Sequence, residues 1–347
     1  MKLTPMQQQY YELKKQYPDT VLMFRLGDFY EVFHEDAVLL SKTLGLTLTG
    51  RGKSEDRIPM AGIPYHALPN YLPKIVKAQI RVAIAEQMEE ATAGQLVKRQ
   101  VTKIITSGTI MDEKSLDSSK NNYIAAIYIC DEGQKSKDQR AQFCLSFCDL
   151  TTGEFKVFKT NNALVARNEL VKISPSEILC SESQLENIKN IYANNLHALP
   201  NSNFEPSSNR QVLIDQLHVK NLKGFGLENN DGLIVSAGNI ISYLKETQKT
   251  DLKHISKIKN YHFSDYMQLD EATIRNLELL FPINTDGIQD ATLFATLNKC
   301  LTAMGKRKLR YFILNPVYVR TGICFLVLGK IVLLHKTRLF IFVLQSI

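Results

Sequence analysis

Phe29 and Glu31 stand two residues apart in the segment Leu26-Gly27-Asp28-Phe29-Tyr30-Glu31-Val32-Phe33. Gly27-Asp28 is a turn signal, so an aromatic residue follows directly on a turn. If the segment continues as a strand, residues i and i+2 share a face, which sets the phenyl ring beside the carboxylate. The ring can stack on a planar group, and the carboxylate can accept a hydrogen bond from that group's edge. The competing reading places Phe24, Leu26, Phe29 and Phe33 together in a core, the usual fate of large apolar side chains.

Other chemistry-bearing residues lack the partners their chemistry needs. Gly52-Lys53-Ser54 reads like the end of a phosphate-binding loop. The full pattern needs a glycine five residues before Gly52, where Thr47 stands, and the following Glu55-Asp56-Arg57-Ile58-Pro59 cannot open the required helix. Cys130, Cys144, Cys148, Cys180, Cys300 and Cys324 show no paired spacing and no accompanying histidines, so they read as free thiols of a reducing cytosol, not as a zinc site. Asp149 could be a metal-binding carboxylate, but two-metal chemistry needs several converging carboxylates and none accompany it. A turn-forming aspartate is the favoured reading. No catalytic residue and no metal site are expected.

The length, 347 residues, allows two or three domains, and 44% hydrophobic with 22% charged residues is ordinary for a globular chain. The formal charge of +7 is unevenly spread: residues 291–347 hold nine Lys/Arg and no Asp or Glu. The preceding residues are therefore slightly acidic, and the overall excess is no nucleic-acid footprint by itself. Basic contacts in the first domain would come from local residues such as Arg51, Lys53, Arg57 and Lys74, for which solvated surface charge is the alternative reading. The polar N-terminus carries no secretory segment.

The elements that would position Phe29 and Glu31 follow from pattern. Thr4 and Pro5 open a helix over residues 3–17, stopped by Pro18. Strands are expected at 20–26 and 30–33, a helix at 35–44, a strand at 46–49, a polar loop at 50–57, a helix at 69–79, and strands at 81–88 and 101–105. This is a mixed α+β domain at 1–112. A polar linker follows at 113–122. Three hairpin-connected strands at 123–130, 143–149 and 155–158, a helix at 163–172 and a strand at 177–180 begin a second α/β domain, 121–250, whose later part reads as helical, with a helix at 233–246. Asp270 caps a further helix, and a single helix is expected over 291–314 with Leu293, Leu297, Leu301 and Met304 on one stripe.

Several strings together resemble a known family. Met23 to Phe33 (MFRLGDFYEVF), Glu35-Asp36-Ala37, Leu44 to Thr49, Ile58 to Ala67 (IPMAGIPYHA) and Asn70-Tyr71-Leu72 resemble the mismatch-binding domain of the MutS family of DNA mismatch-repair proteins. Asp149-Leu150-Thr151-Thr152-Gly153 resembles its ribonuclease-H-like connector, and Met267 to Leu279 resembles the start of its helical core, here an incomplete all-α segment at 265–316. Beyond Pro316 the pattern fails. Residues 317–347 are apolar and basic, and a lost reading frame is the expectation, with a short paralogue carrying a membrane-surface tail as the rival.

The resemblance implies a function. Phe29 would wedge into the minor groove at a mispair while Glu31 hydrogen-bonds the mispaired base. Arg51 and Lys53 would touch the backbone, and Met60 and His66 would line the DNA or shape its loop. Double-stranded DNA with mispairs is the implied partner, with other mismatch-repair proteins meeting the connector, in the cytoplasm and away from membranes. ATP and magnesium belong to the ATPase domain of full-length members, so a truncated chain would be no enzyme and would need no cofactor. The alternative is a structural remnant with no productive DNA clamp.

Overall fold

A hydroxyl and an amide start the chain's first helix. Thr4 Oγ1 accepts from the Gln7 amide at 3.3 Å, and Gln7 Oε1 accepts from the Thr4 amide at 2.9 Å. This capping box, with proline in the first turn, fixes α1 (Pro5–Gln16) as expected. The computed structural model describes residues 4–51, 57–89, 97–111, 116–131, 141–284, 291–317, 334–335 and 338–339. Lys53, the Gly52-Lys53-Ser54 string, part of the expected linker and most of the tail lie outside them.

The first domain is a six-stranded sheet in the order β3-β4-β2-β1-β5-β6. Its strands are β1 (Val21–Leu26), β2 (Phe29–Phe33), β3 (Thr49–Arg51), β4 (Ile58–Pro64), β5 (Val82–Gln87) and β6 (Arg99–Ile105). Helices α2 (His34–Leu44) and α3 (Leu68–Lys77) cover one face, over Met23, Tyr30, Val32, Ala61 and Ile63. Helix α1 covers part of the other, over Leu22, Phe24 and Phe33. The Lys14 ammonium holds both Asp36 carboxylate oxygens at 2.9 Å, and the Leu22 amide donates to Asp36 at 3.0 Å. That buried bridge ties α1, β1 and α2 together.

One expectation here changes, and one strand was not foreseen. The strand expected at 46–49 begins instead at Thr49 and runs through Arg51, because Gly45 at φ +72° ends α2 and the chain needs Leu46 to Leu48 to turn. Ile58–Pro64 is an internal strand, although Pro59, Gly62 and Pro64 read as loop residues.

The second domain has the sheet order β11-β10-β7-β8-β9-β12. Strands β7 (Tyr123–Asp131), β8 (Ala141–Asp149) and β9 (Glu154–Thr160) are antiparallel, and β10 (Glu177–Ser181) and β11 (Leu196–Leu199) add in parallel beyond β7. This is the ribonuclease-H-like arrangement. The short β12 (Lys259–Asn260) pairs with β9. Helices α4 (Ala163–Ile173) and α5 (Leu185–Lys189) pack on one face, α6 (Pro206–Leu217) and α7 (Asp231–Gln248) on the other. The segment after 181 is thus not wholly helical, since β11 completes the sheet. Asp149 is buried, accepting from the Thr151 amide at 2.9 Å, the Thr151 hydroxyl at 2.6 Å and Asn121 at 2.7 Å. It is a turn anchor whose oxygens are engaged.

The core segment is helical but interrupted. Asp270 caps α8 (Glu271–Asn276), accepting from the Thr273 amide at 2.7 Å. The single helix expected over 291–314 is two, α9 (Leu293–Leu297) and α10 (Ala303–Leu314), because Thr302 caps a new start through the Gly305 amide. Leu293, Leu297, Leu301 and Met304 are all exposed, together with Leu277, Phe281 and Ile283. So many exposed large apolar side chains on one short segment favour association in water. Sedimentation velocity should therefore show concentration-dependent self-association of this chain, and a single monomeric boundary over a hundredfold concentration range would contradict it. No helix among the described residues is long and apolar enough to cross a membrane.

Candidate nucleic-acid interface

The site grows from a two-residue hairpin turn. Leu26 pairs with Phe29, leaving Gly27 and Asp28 as the loop. Gly27 sits at φ +59°, the sign a primed turn needs at its first central position and one that glycine adopts freely. The strand leaving the turn alternates: Tyr30 and Val32 enter the core under α2 and α3, while Phe29, Glu31 and Phe33 face the α1 side. Tyr10 of α1 takes up Phe24 and Phe33 in edge-to-face contacts, centroids 5.7 and 5.0 Å apart. Helix α1 does not reach Phe29, which is left 47% exposed. The sequence reading that put Phe24 and Phe33 in a core is right for them and wrong for Phe29.

Glu31 is half-buried beside this ring. Its Oε2 accepts from Arg51 Nη1 at 2.7 Å. Burial pushes the Glu31 carboxyl above the ordinary glutamate range, and the Arg51 guanidinium opposes that shift. Opposite Glu31 on β4 stands Gly62. A Cβ there would lie 3.2 Å from the Tyr30 carbonyl oxygen and 3.6 Å from Glu31 Cγ, so the glycine keeps the carboxylate's flank clear.

The remaining expected residues separate. Met60 pairs with Phe33, two residues along β2 from Glu31, and packs half-buried against the α1 cluster. His66 is exposed in the short 3-10 turn Tyr65–Ala67, edge-on to Tyr65 at 5.7 Å. Lys74 is exposed on α3, the helix covering the opposite face from Phe29. Arg51 alone of the expected cations meets Glu31, and Lys53 is outside the described residues.

Sequence reasoning missed Arg25 and Tyr65. The Tyr65 amide donates to the Asp28 carbonyl at 2.9 Å, fastening the 3-10 turn to the hairpin. Arg25 lies flat over the Tyr65 ring, 3.6 Å from its centroid, and pairs with Glu86 at 3.5 Å. Glu86 also accepts from the Tyr30 hydroxyl. Tyr65 is 42% exposed, so a second aromatic stands at the same end of the sheet as Phe29. Its signal was Pro64, the residue before it, which pairs with Phe29.

This end of the sheet therefore offers a protruding ring, a half-buried carboxylate with an arginine partner, and a second ring backed by a guanidinium. Such a set can stack on a base, test its edge and meet phosphates. Comparison with known proteins gives the same direction. The chain matches MutS domain I over residues 4–114, MutS domain II over 122–256 and MutS domain III over 272–324. It is similar to the DNA mismatch repair protein MutS of Caldanaerobacter subterraneus subsp. tengcongensis, 40% identical over 327 residues, or 91% of this chain and 36% of that protein. The proteins of the same description from Syntrophobacter fumaroxidans and Dehalococcoides mccartyi are 36% and 37% identical, again over 91% of this chain and covering 35% and 36% of theirs. The chain thus spans about a third of the length of these curated relatives. By its domains I, II and III, this chain belongs to the MutS family.

Proposed function

We propose that this chain recognises mispaired bases in duplex DNA, with Phe29 as the wedge and Glu31 as the reader of the displaced base. The observation that carries the reading is the exposure of Phe29 at a hairpin whose neighbouring residues are packed on both sides. A phenyl ring held out from a stiff hairpin is costly in water, and base stacking offsets that cost.

Wedging an aromatic between base steps costs about a few kcal/mol of unstacking and kinks the duplex. A mispair is already weakly stacked, so the cost is lower there than at a matched pair. Discrimination rests on that difference, since mispairs differ too much in their edges for one donor pattern to fit all.

Glu31 adds a chemical test. Its charge repels phosphates, and its pKa is already raised by burial. The field of the DNA backbone pushes it further the same way, so the carboxyl can donate a proton to a base acceptor or, ionised, accept from a base N–H. Arg51 holds the carboxylate in the free protein and is freed to meet a phosphate when a base takes its place. The similarity to proteins named for DNA mismatch repair supports this reading.

The test is equilibrium binding to two duplexes that differ only in a central G·T mispair, at one stated salt concentration. Tighter binding to the mispaired duplex is expected. Equal affinity for the two would sink the proposal and favour an inert remnant.

A further inference from the structure

A basic site lies outside the first domain, where the connector meets α10. A cavity of about 100 Å³ opens there. Its walls carry five cations, Lys120, Lys156, Lys172, Arg307 and Arg310, and among the described residues no carboxylate lines it. Three of the five have an acid behind them: Asp117 at 3.4 Å from Lys120, Glu154 at 2.5 Å from Lys156, and Glu169 beside Lys172. Arg307 donates to the Ser118 carbonyl at 2.9 Å, which leaves its charge uncompensated. Arg310 makes no ion pair among the described residues and rests on the Phe281 ring at 5.4 Å. Burial lowers its affinity for its proton and the Asp117 carboxylate opposes this only in part, which marks it as a desolvated cation.

Lys172 supplies the independent observation. Its side chain is sealed from solvent, 2% exposed, and Glu169 is its sole ionic contact among the described residues. The other Glu169 oxygen accepts from the Tyr261 hydroxyl at 2.8 Å. An ammonium has three protons to donate, so at least two of them on a cavity wall lack an acceptor. A buried cation without acceptors is costly. The Arg307 guanidinium without an acid partner, the Arg310 guanidinium with only the field of Asp117, and an under-used ammonium around one cavity form a site that an anion completes.

We propose that this cavity binds a tetrahedral oxyanion of the phosphate class, free or as the terminal phosphate of a small nucleotide. The space admits one such group or several waters, and the guanidinium fork matches its oxygens in pairs. Because Lys120, Lys156 and Lys172 belong to the connector side and Arg307 and Arg310 to α10, the anion clamps the two together. This proposal is independent of the mispair reading, since these residues belong to the connector side and α10 and Phe29 to β2 of the first domain.

Isothermal titration of the whole chain with sodium phosphate, at ionic strength held constant with chloride, tests it. Saturable binding is expected, weakened at least tenfold in Arg310→Gln and in Lys120→Gln, and unchanged in Lys253→Gln, an exposed control lysine. Lys120 is 43% exposed, so its variant folds even if Arg310→Gln does not. AMP in a parallel titration separates the sources: phosphate binding as well as AMP identifies the free oxyanion, and AMP alone, with the same loss in the variants, identifies a nucleotide phosphate. No saturable binding of either, or binding untouched by both variants, overturns the proposal.

Discussion

Phe29→Ala will remove the preference for a mispaired duplex while leaving the protein folded. Base–aromatic stacking measured by alanine substitution is worth about 1–3 kcal/mol per base, so mispair affinity should fall roughly ten- to a hundredfold. Matched duplex should lose little, because a stacked pair resists the wedge in either protein. Stability should change by no more than about 0.5 kcal/mol, the usual range for exposed positions. Phe29 is 47% exposed and belongs to none of the buried clusters. Fluorescence anisotropy with paired duplexes, alongside urea melts, gives both numbers. Retained preference in a folded Ala variant would assign recognition elsewhere, with Tyr65 the first residue to examine. Phe29→Leu separates bulk from ring: a partial loss is expected, since leucine still wedges but stacks poorly.

The second large effect concerns Glu177, which no sequence argument singled out. It is 4% exposed at the junction of the first two domains. Its Oε2 accepts from the Thr106 hydroxyl at 2.6 Å and the Gly108 amide at 3.2 Å, both from the first domain. Its Oε1 accepts from the Tyr243 hydroxyl of α7 at 2.5 Å. Arg81 of the first domain reaches His197 Nε2 at 3.2 Å, and burial together with Arg81 lowers the His197 pKa to about 4, so the imidazole is neutral at pH 7. Glu177→Ala strands two donors in a sealed space, the Gly108 amide and the Tyr243 hydroxyl, while the Thr106 hydroxyl keeps Thr109 Oγ1 at 2.9 Å; at about 1–3 kcal/mol each, a total of about 2–6 kcal/mol is expected. Thermal unfolding should also split, the first domain melting apart from the connector, as calorimetry would show. A single cooperative transition with an unchanged midpoint would mean that the junction is held by something else.

The ends of elements were readable where one residue type has one use. Thr4 and Pro5 spell a helix start, Gly27 a turn and Asp270 a cap, and each stands where it was expected, while the part of Gln7 in the capping box was not foreseen. What sequence hid was context. Ile58–Pro64 contains two prolines and a glycine, residues that local preference assigns to loops, yet it lies between β2 and β3 because Met60, Ala61 and Ile63 have cores on both faces to enter. The 291–314 stripe looked continuous because apolar spacing ignores Thr302, whose hydroxyl caps a fresh helix. Phe29 and Glu31 sharing a face was legible from period two alone. The partner of Glu31 was not, since Arg51 comes to it only through the β3–β4–β2 pairing, and neither was the coverage by α1 that leaves Phe29 out.

The packing beneath Phe29 has a mechanical consequence. Tyr30 and Val32 are sunk in one cluster, Phe24 and Phe33 in another, and the Tyr65 amide pins the hairpin loop from the side. Close-packed interiors compress very little. When two springs press on each other in series, the softer one takes nearly all the strain. In the proposed function the hairpin would be the stiff spring and the duplex the compliant one, so displacement would be spent on the DNA and the protein would act as a gauge of local stiffness. Loosening the hairpin from behind, without touching the ring, would make the gauge yield before the duplex does and blur the difference between one base step and the next.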